Sequence, residues 1–182
     1  MVKMLAVIGS SKSGKTSIVA YLISKLTGKG FKVGSAKHVH HRGFTIDAAE
    51  KDTWRHARAG AKRVVCISED EVAVIRKQRG DSYGLEDISK LFRDEDFDLV
   101  ILEGFRRLVS DRTDIAKILT AKDEEDAERL LKLTKPPIIA ATGRICTKRS
   151  EPIRGIPIID MKKEGAQLVS TLVERMRLRT RH

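Results

Sequence analysis

Short continuous apolar runs alternate along this chain with stretches whose apolar residues recur at helical spacing. Met4-Leu5-Ala6-Val7-Ile8 is apolar without interruption and stops at Gly9, the pattern of a strand covered on both faces in a parallel sheet. From Lys15 to Thr27, Ile18, Val19, Leu22, Ile23 and Leu26 share one helical face, and Gly28 and Gly30 punctuate the end. Phe31 to Ala36 then reads as a second strand. A strand, a helix and a strand in that order form a right-handed crossover unit.

A polar, irregular stretch follows Lys37 and runs to about Asp52, which is too long for a routine connection and marks a functional loop. A short helix from Thr53 to Ala59 closes at Gly60. Arg63 to Ile67 and Glu71 to Ile75 read as strands, and the short Ser68-Glu69-Asp70 link makes them a hairpin that would add an antiparallel edge to the sheet. Leu85, Ile88, Leu91 and Phe92 mark another helix, and Phe97 to Leu102 is the most apolar strand of the second half. Strands are then expected at Ile115 to Leu119, Ile138 to Ala141 and Ile156 to Ile159, with helices at Glu124 to Leu133 and Lys162 to Arg179. The expected fold class is α/β, a mostly parallel sheet with flanking helices and an antiparallel edge hairpin, in one domain over residues 1–182.

Composition narrows the function classes. The 182 residues carry a formal charge of +11, which invites a nucleic-acid reading. Aromatic residues make up only 4% of the chain, and no stacking signature of an RNA-binding module is present. Arg175, Arg177, Arg179 and Arg181 are spaced two apart, so on a helix they spread around the barrel and read as a solvated end. There is no asparagine, and 34% of residues are charged, a composition of heat-adapted proteins. Cys66 and Cys146 each sit in an apolar run and read as buried free thiols of a reducing compartment. No apolar run approaches the ~20 residues of a membrane span, and Met1-Val2-Lys3 leads straight into a strand rather than a secretion signal. A cytoplasmic protein is expected.

Gly9-Ser10-Ser11-Lys12-Ser13-Gly14-Lys15-Thr16 fits G-x-x-x-x-G-K-[ST] in full, with Ser17 directly behind it. The required context, a buried strand before the loop and a helix after it, is present, so the fold is of the P-loop NTPase type. Such a loop turns backbone N–H groups inward on phosphate oxygens, and the start of the helix adds positive potential. Lys15 would reach the β and γ phosphates, and the Thr16 hydroxyl would face Mg²⁺.

The metal also needs carboxylates. The strand ending Leu102-Glu103-Gly104 delivers Glu103 to the C-terminal edge of the sheet, where open α/β folds bind ligands. Asp98 opens that strand at the opposite end and reads as solvated. Asp52 precedes Thr53-Trp54-Arg55, so it would cap the helix, face the metal, or do both; Asp47 is a second candidate in the same loop.

With these residues in view, the chain resembles the molybdopterin-guanine dinucleotide biosynthesis protein B (MobB) family. The resemblance rests on Lys37-His38-Val39-His40-His41, on Asp47 through Lys51-Asp52-Thr53-Trp54-Arg55 to Ala59-Gly60-Ala61, and on Asp98-Leu99-Val100-Ile101-Leu102-Glu103-Gly104-Phe105. It covers roughly residues 3–120. It implies a homodimeric GTP-binding protein with slow hydrolysis, assisting the guanylyltransferase partner that joins GMP to molybdopterin. It further implies that Thr16, Asp52 and Glu103 surround Mg²⁺, that Lys15 and the loop backbone hold phosphates, and that molybdopterin is a bound substrate.

The histidine segment keeps several readings open. Three histidines with Arg42 suggest zinc, but no cysteine is nearby and the flanking cations repel a metal. A solvated basic loop is the plain alternative. Contact of Lys37, His40 and His41 with a phosphorylated pterin, a γ-phosphate or a partner surface is the reading the resemblance favours. Lys12, Lys15, Lys37, Arg42, Arg106 and Arg107 then become countercharge gathered at one sheet edge. The chain departs from signalling GTPases in one respect: without asparagine it lacks their Asn-Lys-x-Asp guanine reader, and Thr142-Gly143 stands where relatives often carry an acid. Backbone carbonyls or Asp160 would have to substitute. The rival reading is a P-loop small-molecule kinase using ATP or GTP, with Arg144, Lys148, Arg149 and Arg154 as a basic lid.

Overall fold

The computed structural model describes residues 2–41, 43–77 and 83–180. They fall into two compact units, one formed by Met1–His38 with Gly84–His182 and the other by Val39–Tyr83.

In the larger unit, β1 (Lys3–Gly9), β2 (Val33–Lys37), β5 (Leu99–Glu103), β6 (Ala116–Ala121) and β7 (Ile138–Gly143) form one sheet in the order β2-β5-β1-β6-β7. Every pairing in it is parallel. The helices of this unit are α1 (Lys15–Thr27), α3 (Leu85–Lys90), the single turn α4 (Arg106–Val109), α5 (Glu124–Lys132) and α6 (Met161–Arg175). The continuous apolar runs are explained by burial on both faces. Alternation sends Leu5, Val7, Leu99, Ile101 and Ile118 into one core with Leu22 and Leu26 of α1 and Leu168 and Leu172 of α6. The intervening Ala6, Ile8, Val100, Leu102 and Leu119 point to the other face and are buried as well. There α4 packs on β1 and α5 on β6.

The smaller unit holds α2 (Asp52–Arg58), β3 (Arg63–Ile67) and β4 (Val72–Arg76). The hairpin forms as a two-stranded antiparallel sheet of its own instead of an edge of the large sheet. Val64 is buried, while Val65, Ile67, Val72 and Val74 stay exposed on one face of the hairpin.

Several local expectations change. Ile156 to Ile159 contributes only isolated bridges, Ala141 with Ile158 and Ile153 with Ile156, and Pro157 has no N–H to extend them into a ladder. Cys66 is exposed on the hairpin, and Cys146 is half-buried, its thiol donating to the Ile159 carbonyl at 3.2 Å. Asp98 is buried, not solvated, and accepts from the Lys32 backbone N–H at 2.9 Å, which ties the start of β5 to β2. The last helix ends at Arg175, and Arg177 has φ 48°, a left-handed turn that returns buried Leu178 to the core. Among the described residues no helix is long and apolar enough to cross a membrane.

One buried cation braces the sheet end away from the Gly9–Thr16 loop. Lys117 is fully buried, and its ammonium donates to the carbonyl oxygens of Ile115 at 2.8 Å, Lys135 at 3.0 Å and Arg112. Burial pushes its pKa below the ordinary lysine value. Three carbonyls converge on one group, so Lys117→Met leaves all three without that donor. Urea unfolding of that variant is expected to show a loss of about 1–3 kcal/mol, and unchanged stability would contradict the bracing role.

Candidate functional site

The parallel register delivers the ends of β1, β2, β5, β6 and β7 to one edge, where the loop Gly9–Thr16 emerges. In the pairing, Val7 lies opposite Glu103, Glu103 opposite Lys37, and Gly9 opposite Thr120. The last contact leaves no room for a side chain, since a Cβ on Gly9 would lie 2.1 Å from the Thr120 carbonyl oxygen. Ser13 is buried beneath the loop, donates to the Ser10 carbonyl at 2.8 Å and lies 2.7 Å from the Thr120 hydroxyl.

Lys15 opens α1 and turns its ammonium back onto the loop, donating to the carbonyls of Ser10 at 2.6 Å and Gly9 at 3.1 Å. Burial lowers its pKa from the ordinary lysine value, opposed by the nearby Glu103 carboxylate and reinforced by Lys37. Thr16 donates to Glu103 Oε1 at 2.8 Å, and Lys37 Nζ lies 2.9 Å from the same carboxylate oxygen. Three sequence candidates, Thr16, Lys37 and Glu103, thus meet through tertiary structure although 87 residues separate Thr16 from Glu103.

The donor set has the chemistry of a hard cation. Two oxygens, Thr16 Oγ1 and Glu103 Oε1, suit Mg²⁺, which keeps several waters and takes few protein ligands. Among the described residues no group of three or more His, Cys, Asp or Glu is placed to hold a metal. Any magnesium here would share Glu103 with the Lys37 ammonium, so Lys37 would have to move off that oxygen.

The candidates between His40 and Asp52 belong to the smaller unit. His41 is exposed, and its carbonyl accepts from Phe44 N–H at 3.3 Å; His40 lies on the same irregular segment. Asp52 is the first residue of α2, but the N-cap position is Lys51 and no side chain caps the helix, contrary to the capping expectation. Its carboxylate instead lies in the first turn, where the helix dipole favours it. Asp47 Oδ1 accepts from the Thr53 hydroxyl at 2.8 Å, while Oδ2 is buried without a partner among the described residues. Arg42 and Arg181 lie outside the described residues.

Tertiary structure adds neighbours that the sequence reading missed. Asp126 and Arg129 of α5 reach the loop: Ser10 Oγ donates to Asp126 Oδ1 at 2.5 Å, and Arg129 donates to both that carboxylate and the Ser10 hydroxyl, at 2.6 and 2.9 Å. The only signal for them in sequence is their one-turn spacing on α5, which does not say what that face meets. His38 packs against Phe105, with ring centroids 5.3 Å apart. Of the expected basic lid, Arg149 pairs with Glu124 and Arg154 with Glu128, so two of its four cations are engaged with α5. Asp160 is also committed, accepting from Lys162 N–H at 2.9 Å as the N-cap of α6.

A family model described as "MobB: Molybdopterin guanine dinucleotide synthesis protein B" matches residues 4–143, the span from β1 through β7. The chain belongs to the MobB family. It is 30% identical over 128 residues to the "Molybdopterin-guanine dinucleotide biosynthesis adapter protein" of Haemophilus influenzae, covering 68% of this chain and 71% of that one. Against the protein of the same name from Escherichia coli the identity is 28% over 124 residues, covering 68% and 67%. The crystal structure of Bacillus subtilis MobB superposes with a TM-score of 0.74 at 23% identity, over 98% of this chain and 99% of that one. A structure described as a MobB protein homolog from Bacillus stearothermophilus gives 0.68 at 19% identity, over 96% and 97%. These two structures establish the MobB architecture, including the region beyond residue 143.

Gly143, the last matched residue, is a point where this MobB fold is tightly constrained. Its φ of 102° and ψ of −149° suit glycine only, and an added Cβ would lie 2.5 Å from the Ser13 carbonyl oxygen. Gly143→Ala is expected to lose about 2–4 kcal/mol in urea unfolding. An alanine variant as stable as the parent would show that the loop and β7 are not pressed together.

Proposed function

We propose that this MobB protein is a GTP-binding adapter in the formation or delivery of molybdopterin guanine dinucleotide, with slow Mg²⁺-dependent hydrolysis. The observation that carries the nucleotide part is the buried Glu103 carboxylate, 2.8 Å from the Thr16 hydroxyl at the head of α1. The pathway part is supported by the family match and by the names of the relatives.

In this reading the N–H groups of Ser11 to Thr16 cradle the phosphates, Lys15 leaves the loop carbonyls for the β and γ oxygens, and Ser17 stands behind them on α1. Thr16 and Glu103 would hold the cation. Magnesium would neutralise charge between the β and γ phosphates. Lys37, released from Glu103, supplies a positive charge at the γ position, as does Lys12. Guanine preference, the cytoplasmic setting, the homodimer and contact with the guanylyltransferase belong to the same proposal. The exposed Val65, Ile67, Val72 and Val74 face of the hairpin is the surface it assigns to the second copy.

Two variants test the site. Lys15→Ala is expected to abolish nucleotide binding in a calorimetric titration with GTP, ATP and their diphosphates in Mg²⁺. Glu103→Gln is expected to keep binding and to slow Mg²⁺-dependent hydrolysis at least tenfold, as loss of one transition-state contact does. Parental hydrolysis by Glu103→Gln would remove that residue from the site, and phosphorylation of a small acceptor faster than water attack would replace the adapter reading with the kinase one.

A further inference from the structure

Within the smaller unit, a cavity of about 210 Å³ is lined by Trp54, Ala57, Arg58 and Lys77. None of these residues belongs to the phosphate loop or the Glu103 cluster. Trp54 is half-buried, so part of its indole is presented to the cavity, and the Arg58 guanidinium stands over the ring at 5.3 Å from its centroid. That stacking draws one cation toward the aromatic wall. Lys77 brings a second cation from the end of β4, and its ammonium donates to the Thr45 hydroxyl at 3.3 Å. The same hydroxyl accepts from Asp47 N–H at 3.1 Å, and Asp47 Oδ1 accepts from Thr53, the residue before Trp54. Cation, loop and helix are thereby linked through one chain of hydrogen bonds. No ion pair engages Arg58 or Lys77 among the described residues.

An indole wall with two cations that no ion pair engages among the described residues favours one ligand chemistry. A simple phosphate would leave the indole unused, and a neutral ring would leave both cations unanswered. A planar heteroaromatic ring carrying an anionic group answers both, by stacking on Trp54 and by charge-assisted hydrogen bonds to Arg58 and Lys77. We infer that this cavity binds the phosphorylated pterin, separately from the nucleotide at the Gly9–Thr16 loop. The choice of a pterin rests on the function proposed above. The ring-plus-anion chemistry rests on the cavity alone and is shared with guanine nucleotides, so the test must separate the two.

Trp54 is the one tryptophan of the chain, so its emission reports on this cavity directly. The probes are pterin-6-carboxylate, GMP, inorganic phosphate and oligo(U), each titrated into the full-length protein, into Lys15→Ala, and into the double variant R58Q/K77Q. Pterin-6-carboxylate is expected to quench saturably in the parent and equally in Lys15→Ala. Its affinity should fall about tenfold or more in R58Q/K77Q, the loss that follows from removing about 1.4 kcal/mol of binding. Far-ultraviolet dichroism and GTP calorimetry on R58Q/K77Q, both expected to match the parent, keep a folding defect from passing as a result. Quenching by pterin-6-carboxylate that is absent, or unchanged in R58Q/K77Q, overturns the inference. Equal affinity for GMP in Lys15→Ala overturns the pterin assignment, and tighter binding of oligo(U) or of phosphate alone overturns the ligand class. Absence of GTP binding in the parent defeats the proposed function at the loop while leaving this titration to stand or fall on its own readings.

Discussion

The constraint on which the larger unit depends is the parallel pairing of β1 between β5 and β6. Because every backbone group of a central strand must be paired and both faces are covered, the register is fixed by packing and hydrogen bonding together. That register sets Gly9 against Thr120 and Val7 against Glu103, so the loop leaves the sheet at a defined place beside a defined carboxylate. A slip of one residue would turn each strand's side chains to the opposite face and draw Glu103 away from Thr16. The Gly9–Thr16 loop is therefore held from beneath by Thr120 and Gly143, with its own Ser13 turned onto the Thr120 hydroxyl.

Around this frame the charges are arranged in short exchanges. Glu103 serves Thr16 and Lys37 through one oxygen, and Asp126 serves Ser10 and Arg129 through one oxygen. Lys15, half withdrawn from water, turns to backbone carbonyls instead of a carboxylate. Such contacts hold side chains in place without committing them permanently, since a stronger anion such as a phosphate can outbid a carbonyl for an ammonium. The net +11 is in part this local reserve of cations, with Lys12, Arg106 and Arg107 exposed near the same strand ends.

The smaller unit works on different terms. Only Val64 of its two strands is buried, and α2 buries no residue fully, so it has little core of its own. Hydrogen bonds among Thr45, Asp47, Thr53 and Lys77 do what apolar packing does elsewhere. A segment built this way presents apolar and aromatic surface outward, at the hairpin face and at Trp54, which suits recognition better than stability.

The strands and helices of the larger unit were legible because their patterns are local: continuous apolar runs, helical periods and glycine stops are written in consecutive residues. The Gly9–Thr16 motif stands out for the same reason, and the place of Glu103 at a strand end because the strand carrying it is so apolar. Other features depended on partners far away in sequence. Asp98 reads as a solvated strand start until Lys32 supplies its donor, Cys66 reads as buried until the hairpin proves uncovered, and Asp126 and Arg129 have no meaning until α5 lies beside Ser10. The segment at Ile156 to Ile159 looks like a strand by composition, yet Pro157 lacks a ladder donor and only isolated bridges form. By itself the sequence determined which segments take which backbone form and which edge bears the loop, since propensity and period act over a few residues. Only the tertiary structure decided which side chains share an oxygen, because hydrogen bonds and burial are settled by neighbours that no local window contains.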